Sequence, residues 1–250
     1  MKKLLAIAAT ALILPLSSQA KPLDQEQQQQ VRELVRETLI ENPEIFIEVV
    51  NELKKREEIA RTQAQDSALS TSQAELFNNS NDPFAGSKTP KLSIVYFGDV
   101  NCGFCKKQDP VLESLVKAYP DLKIIYKDLP ILGPSSREAA ALSLAALSLT
   151  EGAKGNTTYL SLHKQFMSHP ARHDSNSIAS SVKTQGLNLD ELKKAVDADI
   201  NQQLDSNIML AQRLGITGTP ALVFPDEIIG GFTNESTLKE MIGQRLNQAK

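Results

Sequence analysis

The chain has 250 residues, with 27 lysines and arginines against 30 aspartates and glutamates, two cysteines and a formal net charge of −3. An acidic chain with no concentrated basic stretch lacks the electrostatic footprint that phosphate neutralisation needs, which excludes nucleic acid as a partner. Beyond the N-terminus no segment approaches the roughly 20 apolar residues of a membrane-spanning helix.

In chain order, Lys2 and Lys3 precede an apolar stretch from Leu4 to Leu16, which ends at the small-residue site Ser18-Gln19-Ala20. That layout predicts a cleaved secretory signal over residues 1–20, and the apolar stretch is too short for a membrane anchor. Cleavage removes Lys2 and Lys3 but no acid, so the mature chain is more acidic still. Residues 21–62 predict two amphipathic helices, one with Val31, Leu34, Val35 and Leu39 at helical spacing, the next with Phe46, Val49, Val50 and Leu53. Between them Asn42-Pro43-Glu44 reads as an N-cap, a proline in first helical position and a first-turn acid. Residues 63–90 show no sustained period, and the cluster Asn78 to Pro83 with Gly86 predicts a linker.

The main domain, 91–250, opens on Leu92-Ser93-Ile94-Val95-Tyr96-Phe97, the near-continuous apolar run of a strand buried on both faces. After the cysteines, Val111, Leu112, Leu115, Val116 and Tyr119 repeat at helical spacing, with Pro110 expected to kink that helix. Leu122 to Tyr126 reads as a second strand, parallel to the first through a right-handed crossover. A helical region follows, the insertion proper covering about 135–200, in which Ser135 and Glu138 have capping-box spacing. Pro170, Gly186 and Asn188 divide it. Ala221 to Phe224 and Ile228-Ile229 return to the sheet, and a last helix runs from about Glu235 to Asn247. The fold class is α/β: a sheet domain with helices inserted in its middle.

Cys102-Gly103-Phe104-Cys105 falls between the first strand and its helix. The first cysteine then sits at a helix N-terminus, where unpaired backbone amides and the helix dipole favour a thiolate, the species that attacks a disulfide. Cys105, one turn inward, is placed to attack the resulting mixed disulfide. Lys106 and Lys107 add positive potential. Three other readings are weaker. A structural disulfide closing so short a loop removes little chain entropy. A zinc site needs His163, His169 and His173 to complete it, and these are read as surface residues of the inserted helices. Two unpaired buried thiols fit an oxidising compartment poorly. A Cys-x-x-Cys between strand and helix carries the redox reading. Gly218-Thr219-Pro220, just ahead of a strand, is the second element, and its X-Pro bond is expected to be cis and to lie against the cysteines.

The stretch Phe97 to Cys105, the later Gly218-Thr219-Pro220 and the helical insertion between them resemble the DsbA family of bacterial thioredoxin-fold proteins, over roughly residues 90–248. The resemblance implies a thioredoxin fold with an inserted helical subdomain, Cys102 as attacking and Cys105 as resolving cysteine, and Thr219-Pro220 as a cis-proline loop that holds substrate backbone. Gly103 stands where the family often has proline. Phe104 stands where many strongly oxidising members have histidine, and it offers a thiolate neither charge nor a strong donor. The N-terminal helices resemble those of a DsbA-like branch, including the ScsC proteins, that self-associates through such an extension. A dimer through the two stripes is the expectation here, and packing back onto the same chain is the alternative. The function expected is a periplasmic thiol:disulfide oxidoreductase that forms or reshuffles disulfides in exported proteins. It needs no metal or other cofactor and works with a membrane redox partner of DsbB or DsbD type. The competing class is a non-catalytic envelope chaperone or scaffold.

Overall fold

The computed structural model describes residues 22–150 and 152–248, so the expected signal over 1–20 lies outside the described residues. The chain divides into two compact units, Met1–Glu58 and Ile59–Lys250.

In the first unit, α1 (Gln25–Glu41) starts at Asp24, whose carboxylate accepts from the Gln27 amide while the Gln27 side chain accepts from the Asp24 amide. This reciprocal cap satisfies two donors that a helix start leaves unpaired. The expected N-cap Asn42 instead closes α1, donating to the Thr38 carbonyl from both its backbone and its side chain. After Pro43, α2 (Glu44–Thr71) begins. Val31, Leu34, Val35, Phe46, Val49, Val50 and Leu53 are all exposed.

In the second unit a five-stranded sheet has the order β1-β3-β2-β4-β5, with β1 (Phe84–Gly86), β2 (Leu92–Gly98), β3 (Leu122–Asp128), β4 (Ala221–Val223) and β5 (Ile228–Gly230). β2 and β3 are parallel and the other pairs antiparallel. β2 is buried on both faces because its alternating side chains enter two cores. Ile94 and Tyr96 join one cluster with Leu112, Leu115, Ile124 and Tyr126. Val95 and Phe97 join the other with Ile125, Leu210, Leu214 and Val223.

The expected linker over 63–90 is structured. The end of α2 packs Leu69, α3 (Gln73–Phe77) packs Leu76 into the second cluster, and Gln65 donates to the Leu214 carbonyl. Phe84 to Gly86 pairs with Lys123 to Ile125 as an edge strand, and Asp82 meets Lys127 in a fully buried ion pair at 2.6 Å. These contacts remove Leu69 and Leu76 from water, and the unit starts at Ile59 rather than at residue 91.

The helix after β2 is α4 (Gly103–Ala118), with Pro110 inside it. The insertion consists of α5 (Pro134–Ser148), α6 (Gly152–Ser168), α7 (Ser175–Thr184), α8 (Leu189–Ala195) and α9 (Ala198–Arg213), and α10 (Glu235–Gln248) closes the chain. It therefore extends past residue 200. The expected capping box at Ser135 does not form. α5 starts at Gly133, which adopts φ 118, a left-handed conformation suited to glycine. Ser135 and Ser136 instead bind the loop that leads to the cysteines.

Candidate active site

β2 ends at Gly98, and residues 99–102 carry the chain to α4. Asp99, buried, holds this loop: one carboxylate oxygen accepts from the Asn101 amide at 2.8 Å and the Ser136 hydroxyl at 2.7 Å, the other from the Leu132 amide at 3.0 Å. Its carbonyl accepts from the Cys102 amide at 3.0 Å. The Asn101 side chain donates to Ser135 and Ser136, both at 2.9 Å, and accepts from the His173 amide at 2.7 Å. The Asp99 and Asn101 side chains thereby tie this buried loop to Leu132, to the start of α5 and to His173 of the insertion.

Cys102 is the N-cap of α4, in extended conformation, with its sulfur accepting from the Cys105 amide at 3.4 Å. Both cysteines are free thiols. The Cys102 thiol donates to the Thr219 carbonyl at 3.1 Å, and the Thr219–Pro220 bond is cis. The structure thus brings Cys102, Cys105 and Thr219-Pro220 together. Cys102 keeps 8% of its surface exposed whereas Cys105 keeps none. Burial pushes the Cys105 thiol up to about 12, while the nearby Asp99 backbone and the Thr219 and Tyr96 side chains pull the other way, towards its thiolate. Two neighbouring thiols of unequal access can run a two-step exchange: the outer one meets a partner disulfide, the inner one attacks only the outer one.

The comparisons with known proteins point the same way. Residues 93–243 match the DSBA-like thioredoxin domain, and residues 27–60 match the copper resistance protein ScsC N-terminal domain. The chain belongs to the DsbA-like thioredoxin family of thiol–disulfide oxidoreductases. Among solved structures it is similar to a linker-deletion mutant of Proteus mirabilis ScsC, at 32% identity over 92% of this chain and 100% of that one, with TM-score 0.70. A periplasmic thioredoxin-like protein from Salmonella enterica serovar Typhimurium matches at 34% identity over 70% and 95% of the two chains, TM-score 0.64. The thiol-disulfide exchange protein alpha-DsbA2 from Wolbachia pipientis matches at 27% identity over 74% and 97%, TM-score 0.67. No curated protein matched.

In this DsbA-like site, Gly103 has open space around it: a Cβ built there meets nothing within 4 Å. Phe104 is 58% exposed, and Lys107 Nζ stands 5.4 Å from its ring centroid. Lys106 is half-buried and donates to the carbonyls of His169, at 2.7 Å, and Ala171.

Two of the three histidines expected on the surface, His163 and His173, are a correction, whereas His169 is half-exposed. His163 is buried with Nε2 3.0 Å from Asp109, because Asp109 faces inward one turn after Cys105 and takes the imidazole as its partner. His173 is buried too, with Nε2 2.9 Å from the Phe166 carbonyl. Neither is engaged with the cysteines, and among the described residues no group of three or more His, Cys, Asp or Glu is arranged to hold a metal. Asp99, Asn101, Tyr96, Asp109 and His163 were missed as site-supporting residues. Asp99 and Asn101 carried a signal in their adjacency to Cys102, whereas Asp109 and His163 lie 54 residues apart and announce nothing in sequence.

Proposed function

We propose that this protein is exported to the periplasm by residues 1–20 and there forms or reshuffles disulfides in exported proteins through its Cys-Gly-Phe-Cys site. The observation that carries the reading is the pairing of Cys102, capping α4 beside the Thr219 carbonyl, with the fully buried Cys105 one turn inward. The periplasmic description of the Salmonella relative supports the location.

In the reducing direction the Cys102 thiolate attacks one sulfur of a substrate disulfide. A mixed disulfide forms and the other substrate sulfur leaves as a thiolate. Cys105, as thiolate, then attacks Cys102 Sγ, so that the Cys102–Cys105 disulfide forms and the second substrate thiolate leaves. The substrate gains two electrons and the protein loses two. Oxidation is the same sequence reversed. The negative Cys102 is among the influences that raise the Cys105 pKa, and that one vanishes once Cys102 is in the mixed disulfide. Thr219-Pro220 borders the attacking sulfur and is assigned to hold the substrate backbone. A membrane partner of DsbB or DsbD type would reset the pair.

The exposed stripes of α1 and α2 are assigned to self-association, since apolar helix faces need a partner. The match of 27–60 to the ScsC N-terminal domain supports a dedicated role for this segment. Several cysteine pairs in one assembly suit reshuffling better than single-step oxidation. Cys102→Ala tests the reading: an oxidoreductase loses turnover of a disulfide substrate, and a scaffold keeps its activity.

A further inference from the structure

The central strand holds a buried polar group that the two-cysteine scheme leaves unused. Tyr96, 1% exposed, has a hydroxyl with no hydrogen-bond partner among the described residues. A buried hydroxyl without a partner costs free energy, so its retention asks for a state in which it is paired.

Its position is tightly determined. The ring lies across the backbone of Gly98: a Cβ there would stand 2.6 Å from Tyr96 Cζ and 2.7 Å from its hydroxyl oxygen, so only glycine leaves room. Tyr126 packs against the ring edge-on at 5.7 Å, and Tyr96 sits between Tyr126 of β3 and Leu222 of β4 in the sheet register. So held, the hydroxyl is beside Cys105, near enough to favour that residue's thiolate although it makes no hydrogen bond with the thiol.

We propose that Tyr96 is a catalytic residue of the resolving step: its hydroxyl donates to the Cys105 sulfur when that sulfur becomes a thiolate and attacks Cys102. The proposal rests on the attack-and-resolve reading above. A thiolate with no access to water needs donors inside the protein. Tyr96 supplies one without giving up its proton, because burial, with Cys105, Asp109 and Tyr126 nearby, keeps its own pKa well above the usual phenol range. The Cys105 proton therefore passes to solvent or to the departing substrate thiolate, not to Tyr96. Other groups around this pair are Cys102, Thr219 and the Asp99 backbone on the active-site side, and Asp109 with its partner His163 on the α4 and α6 side. Lys106, on α4, directs its ammonium to the His169 and Ala171 carbonyls.

Stopped-flow reaction of the reduced full chain with a chromogenic aromatic disulfide tests this, since Cys102 attack releases a first aromatic thiol and Cys105 resolution a second. Tyr96→Phe, which removes one oxygen and keeps the ring, is expected to leave the first release within about twofold of the parent. The second slows at least about tenfold, as fits a lost hydrogen bond to a charged group, and its pH midpoint moves upward. An unchanged second release and pH midpoint overturn the proposal. So does a Tyr96→Phe chain that fails to fold, because the unpartnered oxygen is assigned no part in holding the dithiol form. A parent chain that releases only one equivalent refutes the attack-and-resolve reading itself and takes the proposal with it.

Discussion

The Cys102 sulfur stands 3.1 Å from the Thr219 carbonyl oxygen, although 117 residues separate them in the chain. Antiparallel pairing of Phe97 with Ala221 sets this approach, since it places the ends of β2 and the start of β4 side by side. The loop from Gly98 to Cys102 must then hold its shape without regular structure, and Asp99 is what holds it.

Replacing Asp99 by alanine leaves the Asn101 and Leu132 amides and the Ser136 hydroxyl without their acceptor. We expect a loss of about 3 kcal/mol in denaturant unfolding and slower disulfide exchange, with Asp99→Asn intermediate. A variant that unfolds at the parent's midpoint would show that the loop is held by other contacts.

Leu76→Ala probes whether residues 63–90 belong to the catalytic unit. Leu76 is fully buried among Val95, Phe97 and Leu210, so truncation should cost about 2–5 kcal/mol in chemical denaturation. A cost below about 0.5 kcal/mol is the value for a surface linker.

The catalytic sheet was readable because its signals are dense. β2 is seven residues with burial on both faces, and the Cys-x-x-Cys lies where strand gives way to helix. The end of α2 was not readable: Leu69 and Leu76 are seven residues apart, with polar Ser72 and Gln73 at the places a helical stripe would fill. β1 is three residues long, below the length at which alternation shows. Ser135 read as a helix cap because capping is the local use of serine, and Ser136 beside it gave no signal. Their actual partners, Asn101 and Asp99, are more than 30 residues away. Tyr96 passed as one more apolar side chain in a buried run, which is how its unpartnered hydroxyl stayed hidden.

Two buried groups make stability depend on pH in the same direction. Burial raises the Asp128 carboxyl to about 6, while His163 and the Tyr159 hydroxyl at 2.9 Å pull the other way. Between pH 3.8 and about 6 the unfolded chain has lost this proton and the folded chain keeps it, so stability falls as pH rises, by roughly 2–3 kcal/mol. For His163 burial opposes charge, but Asp109 and Asp128 overcome it and raise its pKa above 6.5. Its contribution is fully present below that value and is lost as pH rises through the folded pKa. Melting temperatures across pH 4–8 should flatten in the lower part of the range for Asp128→Asn and in the upper part for His163→Gln. An unchanged slope in both variants would contradict the assignment.

Gly103→Pro should be accepted at the first position of α4, where no Cβ contact arises and the backbone amide is unpaired in any helix. A gain of about 0.5–1 kcal/mol in thermal or chemical unfolding is expected, through lower freedom of the unfolded chain. Destabilisation would mean that the turn needs glycine.

The central claim, that Cys102 attacks and Cys105 resolves, is tested most directly by alkylating the reduced protein at pH 6–7 and locating the label by mass spectrometry over time. Cys102 caps the helix and keeps 8% of its surface exposed, whereas Cys105 has no exposure and a thiol pushed up to about 12. Cys102 should be modified first, with Cys105 at least about a hundredfold slower. Equal labelling of the two thiols, or faster labelling of Cys105, would contradict the account.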